Sequence, residues 1–348
     1  MKKKNLLLGV LSLALMATTA LALGSCDGFK LNRCTIAGHN YEDRICVNCG
    51  EKMPSEGLEF TKIEGKKEYA VTGLGSCTDT DIIIPAEHEG LPVTSIGSDA
   101  FAYCYSLTSV VIPDSVTSIG NFAFYYCSSL TSVEIPDSVT SIGDYAFSAC
   151  NSLQYNEYDN GYYLGNENNK YVVLVKAKDK SITNCNIHQN TKVVYSSAFD
   201  GCTSLTSVEI PDSVTSIGEG AFADCSSLTS VVIPDSVTSI GGSSFSNCDS
   251  LTSIVIPASV TSIGGGAFSS CDSLTSVVIG DGVTSIGNYA FQNCTSLTSV
   301  TFKKPNGWFV TKSSTATSGT DISSADLSDT ATAASYLKDS SCYWKRSE

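Results

Sequence analysis

The sequence predicts an α/β repeat protein, a solenoid of about 23-residue coils with short parallel strands and a cap at each end. Three observations predict it. The string "SLTSVVIPDSVTSIG", Ser106 to Gly120, returns with few edits from Ser129, Ser204, Ser227, Ser250 and Ser273. The cysteines Cys104, Cys127, Cys150, Cys202, Cys225, Cys248, Cys271 and Cys294 fall 23 residues apart, except for a step of 52 after Cys150. A fixed period in the twenties is the mark of a solenoid, and the long step holds one ordinary coil and one of 29 residues. Within each unit, apolar residues alternate as they do in a strand with one buried face.

The chain begins outside the repeats. Lys2, Lys3 and Lys4 precede an apolar stretch from Leu6 to Leu23, which reads as an export signal over residues 1–25. "LGSC", Leu23 to Cys26, resembles the lipobox of bacterial lipoproteins, and that resemblance makes Cys26 the lipidated residue of the mature protein. The expected location is therefore the bacterial cell surface or envelope, with the membrane reached through the lipid. Simple secretion is the alternative.

Residues 26–57 form a linker with a cysteine-histidine knot. Cys34, His39, Cys46 and Cys49 lie within "CTIAGHNYEDRICVNCG". The C-x-x-C pair lets two thiolates reach one tetrahedral ion across a tight turn, and Cys34 with His39 would complete a structural zinc site. The stretch looks like a miniature zinc ribbon. The alternative in an exported chain is a disulfide.

Residues 58–92 read as the N-terminal cap and first coil, with "EHEGLP" as a bulge. The solenoid proper spans residues 93–302. In each coil a leucine, a valine and an isoleucine (Leu107, Val110 and Ile112 in the first copy) face inward from a short strand. Pro113 ends that strand because proline cannot extend a ladder. Val116 and Ile119 point in from a second extended piece, closed by Gly120. "NFAFYYC" is expected to make a helical turn that buries Ala123, Phe124 and Cys127. One coil has too little apolar surface to fold alone, so its copies must stack.

The pieces A-F-x-x-C-x-S-L and I-P-x-S-V-T-S-I-G recur at constant spacing from about Tyr69 to Phe302. They resemble the BspA-type leucine-rich repeats of bacterial surface proteins. The resemblance implies a right-handed leucine-rich repeat solenoid with roles in adhesion and host contact.

The modified coil, residues 153–182, is expected to carry a hairpin in "GYYLGNENNKYVVLVK", with Cys185 and Ile187 resuming the ladder. It serves as a spacer or as a projecting feature. Residues 303–348 read as the C-terminal cap. A strand is expected near Trp308 to Thr311, and a helix near Thr330 to Lys338 capped by Asp329.

The ladder cysteines read as buried free thiols. Stacked side chains stand about 4.8 Å apart, and a disulfide needs Cβ atoms nearer about 3.8 Å. The charge of −14 makes nucleic acid an unfavourable partner. The three histidines, His39, His88 and His188, lie near no nucleophile motif, and a repeated surface is the wrong design for one active site. The expected protein is non-catalytic.

A partner would meet the outward residues of the main strands. That column reads Val111, Glu134, Glu157, Asn186, Glu209, Val232, Val255, Val278 and Thr301. Val232, Val255 and Val278 would form a narrow apolar ridge, with acids toward the N-terminal end. The ligand-binding face expected here comprises Val111, Glu134, Glu209, Val232, Val255 and Val278. Its ligand would be a host matrix protein, a glycan or another cell-surface partner. The alternative is a structural spacer or envelope scaffold, in which β-branched residues merely suit strands.

Overall fold

A computed structural model describes the backbone of Tyr41–Glu42 and Ile45–Cys46, and residues 52–338 and 340–347. The chain divides into two units, Met1–Met53 and Pro54–Glu348. In the first, Tyr41–Glu42 pairs antiparallel with Ile45–Cys46.

The second unit is a β-solenoid. Its main strands form a parallel ladder in three separate stretches; in the first, Ser132 lies opposite Ser109, Val133 opposite Val110 and Glu134 opposite Val111. The S-I-G pieces form a second, with Ser216–Ile217, Ser239–Ile240, Ser262–Ile263 and Ser285–Ile286 in successive register. In-register parallel pairing sets each residue beside its own copy, and the repeated phrase follows from that geometry. Phe199, Phe222, Phe245, Phe268 and Phe291 stack in one file, with ring centroids 5.1–5.2 Å apart and planes within 9°. Phe101, Phe124 and Phe147 form a second file at 5.3 and 5.4 Å.

The polar letters of the phrase have inter-coil partners too. The hydroxyls of Thr131, Thr206 and Thr275 donate to the carbonyls of Thr108, Thr183 and Thr252, each 23 residues earlier. Cys127, Cys225, Cys248, Cys271 and Cys294 donate Sγ–H to the carbonyl of the phenylalanine 26 residues before, at 3.0–3.3 Å. The ladder cysteines are free thiols, and those from Cys127 to Cys294 are buried.

The segment expected to be a helical turn is a chain of turns. Two residues per coil, four apart, have φ between +50° and +70°: Phe122 and Tyr126, Tyr145 and Ala149, Gly220 and Asp224, Gly266 and Ser270. A left-handed residue breaks an α-helix, so the N–H groups divide their bonds. Phe124 N donates to Ala146 O of the next coil at 2.8 Å, while Cys127 N donates within its own coil to Phe124 O at 3.2 Å. The turns thus form a third ladder along the stacking axis.

The N-terminal cap is the antiparallel pair Glu59–Lys62 and Tyr69–Gly73, which docks in parallel on Leu91–Ile96. The bulge folds as a small hairpin of Glu87–His88 and Leu91–Pro92, and the His88 ring stacks on Phe60 at 4.1 Å. At the other end, the strand Trp308–Thr311 and the helix Thr330–Lys338 lie where the sequence places them, and Asp329 Oδ1 accepts Thr332 N–H at 2.8 Å. A second helix, Ser324–Ser328, occupies part of the Ser/Thr-rich stretch that reads as loop. Tyr343–Arg346 closes the second ladder by pairing antiparallel with Ser285–Ile286.

The modified coil carries more than one hairpin. Gly161–Leu164 pairs antiparallel both with Asn156–Tyr158 and with Val173–Ala177. Cys185 then pairs with Val208 and resumes the main ladder, as the spacing requires.

Candidate functional site

The outward column of the main ladder is shorter and more broken than its sequence register. Val232 is 78% exposed and Val255 60%, but Val278 is half-buried between its register partners Val255 and Thr301. The ridge therefore has two exposed valines rather than three. Strand pairing lapses at Val231–Ile233, where only Ser230 bridges to Ser207, so Val232 stands beside an interruption in the ladder.

Toward the N-terminus, Val111 and Glu134 are neighbours in register and both half-buried. Glu157 does not join them. Its strand turns into the hairpin and pairs with Tyr162, and Gly165 takes the place beside Glu134. Glu209 is exposed and lies opposite Asn186. The acids Glu134 and Glu209 are thus separated by the modified coil. Carboxylates spaced along a rod make an extended surface rather than an acid–base pair.

The histidines of this unit serve packing. His188 stacks on Tyr171 at 4.0 Å, meets Tyr158 edge-on at 4.7 Å, and accepts Asn190 N–H at Nδ1. Burial lowers its pKa.

Of the cysteine-histidine knot, Cys46 ends the short strand Ile45–Cys46, while Cys34, His39 and Cys49 lie outside the described residues. So do Cys26 and the export segment 1–25. Among the described residues, no helix is long and apolar enough to cross a membrane.

Sequence reasoning missed one carboxylate pair. Asp144 and Glu219 meet across the modified coil although 75 residues apart, and Ser196 Oγ donates to Asp144 Oδ1 at 2.7 Å. Desolvation and then a hydrogen bond shared with Asp144 raise the Glu219 pKa. The only signal was the irregular step between cysteines, which shows that a coil is altered but not how its neighbours close around it.

A search of curated proteins gives no match. Among solved structures, a leucine rich cell surface protein from Faecalibacterium prausnitzii is 27% identical, with a TM-score of 0.42; the match covers 72% of this chain and 94% of that one. A leucine-rich repeat protein from Bacteroides ovatus is 25% identical, covering 71% and 70%, with a TM-score of 0.33. One from Eubacterium ventriosum is 23% identical, covering 71% and 82%, with a TM-score of 0.39. The profile of the BspA type Leucine rich repeat region matches in 6 copies, over residues 77–167, 177–298 and 215–336. That profile covers more than half of the chain, and the chain belongs to the BspA-type leucine-rich repeat family.

Proposed function

We propose that this is a lipid-anchored bacterial surface protein whose solenoid binds a partner without catalysing a reaction. The partner is a host matrix protein, a glycan or the surface of another cell. The observation that carries the reading is the exposure of Val232 and Val255, 78% and 60%, on the outward side of a main ladder whose other face is buried. Large side chains this exposed gain nothing from the core and are available to a partner. Val278 extends the patch at half exposure, Glu209 lies toward its N-terminal end, and Val111 and Glu134 lie beyond the modified coil. Equal sites at equal spacing would raise avidity.

The test is binding of the soluble chain, Asp27 to Glu348, to panels of matrix proteins and glycans. A variant carrying Val232→Lys, Val255→Lys and Val278→Lys runs alongside, with circular dichroism to confirm folding. Specific binding that the folded variant loses supports the reading. If nothing binds, a spacer or envelope scaffold takes its place.

Cys26 holds the lipid in this reading, so Cys26→Ala releases the protein from the membrane fraction. Cys34, His39, Cys46 and Cys49 hold one structural zinc. Elemental analysis of the purified chain should give one zinc per molecule, whereas a mass lowered by lost thiol hydrogens would assign disulfides instead.

A further inference from the structure

The third ladder, built of turns, is interrupted once, and hydrogen-bond register shows how. Tyr195 N donates to Leu174 O as Gly218 N donates to Val194 O, all at 2.9 Å. Ala177 N donates to Ala198 O as Phe199 N donates to Ala221 O, both at 2.7 Å. Leu174 and Ala177 therefore hold the places of Val194 and Phe199. Four residues lie between the latter pair and only Val175 and Lys176 between the former. The modified coil omits two residues at the start of its turn and puts alanine where the file has phenylalanine.

The coils on either side meet across the omission. Ser196 donates to Asp144, and Phe147 N–H donates to the Tyr195 hydroxyl at 3.1 Å. Beside that contact a cleft of about 400 Å³ stays open. Tyr145, Phe147 and Asn151 line one side of it, Tyr195 and Ser197 the other, with Tyr155 and Lys176 between.

Two features of the cleft point to a ligand. Tyr145 is 53% exposed and sits at φ +58°, a left-handed position that Phe122 and Tyr289 also take and that serine or glycine takes at Ser197, Gly220, Ser243 and Gly266. Phe122 of the preceding coil stacks on Tyr145 at 5.3 Å, and Tyr145 lines the cleft. An exposed aromatic ring that lines a cleft is suited to stacking. The second feature is charge. In a chain with 35 acidic residues, the lining holds one cation, Lys176, and no carboxylate. Its Nζ is positioned over the rings of Tyr155 at 4.8 Å and Tyr162 at 5.6 Å. Asp144, just outside the lining, is occupied by Ser196 and Glu219.

We propose that this cleft binds a pyranose sugar that carries a carboxylate, of the uronic or sialic acid kind. The C–H face of the ring lies on Tyr145. The carboxylate meets Lys176 Nζ, and ring hydroxyls reach Asn151 and the hydroxyls of Ser148 and Ser197. An aromatic platform with a polar rim matches a ring that has an apolar face and a polar edge. The cleft is separate from the valine column, so either site stands without the other.

The experiment titrates the soluble chain, Asp27 to Glu348, with methyl β-glucuronide, methyl α-galacturonide and the methyl glycoside of N-acetylneuraminic acid, with neutral methyl β-glucoside as comparison, by calorimetry and saturation-transfer NMR. At least one acidic sugar should bind, with the glucoside about tenfold weaker or worse, as expected for loss of a charge-assisted contact. Tyr145→Gly relieves the left-handed strain, so it should keep or raise the melting temperature while abolishing binding. Lys176→Gln should bring the acidic sugar down to the affinity of the glucoside. The proposal is overturned if none of the three acids binds, if the glucoside binds as well as they do, or if folded Tyr145→Gly keeps the affinity. Because these variants leave Val232 and Val255 untouched, loss here is distinguishable from failure of the column.

Discussion

Gly241 has no room for a methyl group. A Cβ there would lie 2.5 Å from Glu219 N and 2.5 Å from Gly218 C of the coil before. Gly220 fails for the other reason: its nearest neighbour would be 3.4 Å away, but its φ is +60°. Gly241→Ala should therefore cost about 3 kcal/mol through backbone displacement, and Gly220→Ala about 1 kcal/mol through strain alone. Chemical denaturation of the two variants separates these causes. The thiols make a second test at this scale. Burial pushes Cys248 and Cys185 up to about 12 and Cys202 to about 11, from an ordinary value of 9.0. The folded state holds these protons more tightly than the unfolded chain, so stability is full below about pH 9 and falls as pH rises through the folded values. Alkylation of the native chain at pH 8 should reach Cys77 and Cys342, which are partly exposed, well before the buried ladder. That these cysteines pack as free thiols could be read from their period. That each donates to a phenylalanine carbonyl could not, because the partner is fixed by stacking and lies 26 residues away rather than 23.

Strands, caps and turns differed in how plainly the sequence announced them. Leu107, Val110 and Ile112 alternate, and the strand is there; Asp329 precedes an alanine-rich run, and the helix is there. The "NFAFYYC" segment misled because Ala, Phe and Cys at spacings of one and three satisfy a helical face as well as they satisfy a stack. The clue was the company of Gly220, Gly266, Asn247 and Asn293 at the same two places, residues that tolerate left-handed backbone. The phenylalanine file is the element that joins these turns. Phe245→Ala, between Phe222 and Phe268, should cost about 3–5 kcal/mol by leaving a ring-sized void. The Asp144–Glu219 pair was illegible because an omission, not a motif, brings it together. Glu219 binds its proton more tightly when folded, so it favours the native state at low pH, and that contribution is lost as pH rises above the ordinary value of 4.5. Glu219→Gln should flatten this part of the stability profile, measured by urea denaturation between pH 4 and 7.

At the scale of the molecule, register matters more than length. Removing one whole period, Ser230 to Thr252, rejoins copies of the same phrase and should leave a folded, shorter solenoid; removing half a period should abolish cooperative unfolding, because every side chain then meets a stranger. The C-terminal cap is a different matter. Trp308 and Trp344 are 1% exposed against Phe302, so ending the chain at Lys303 should bare the last coil and drive aggregation, visible by light scattering. The parallel ladders have one more consequence. Their hydrogen bonds point from coil to coil, along the line on which a chain held at one end and tugged at the other is loaded. Bonds pulled along their own direction open one row at a time, as a zipper does. Under flow the solenoid should pay out coil after coil, each releasing about 23 residues or roughly 75 Å of extended chain, at nearly equal force because the rows are nearly identical. Pulled from its two ends, such a molecule should lengthen in even steps rather than all at once.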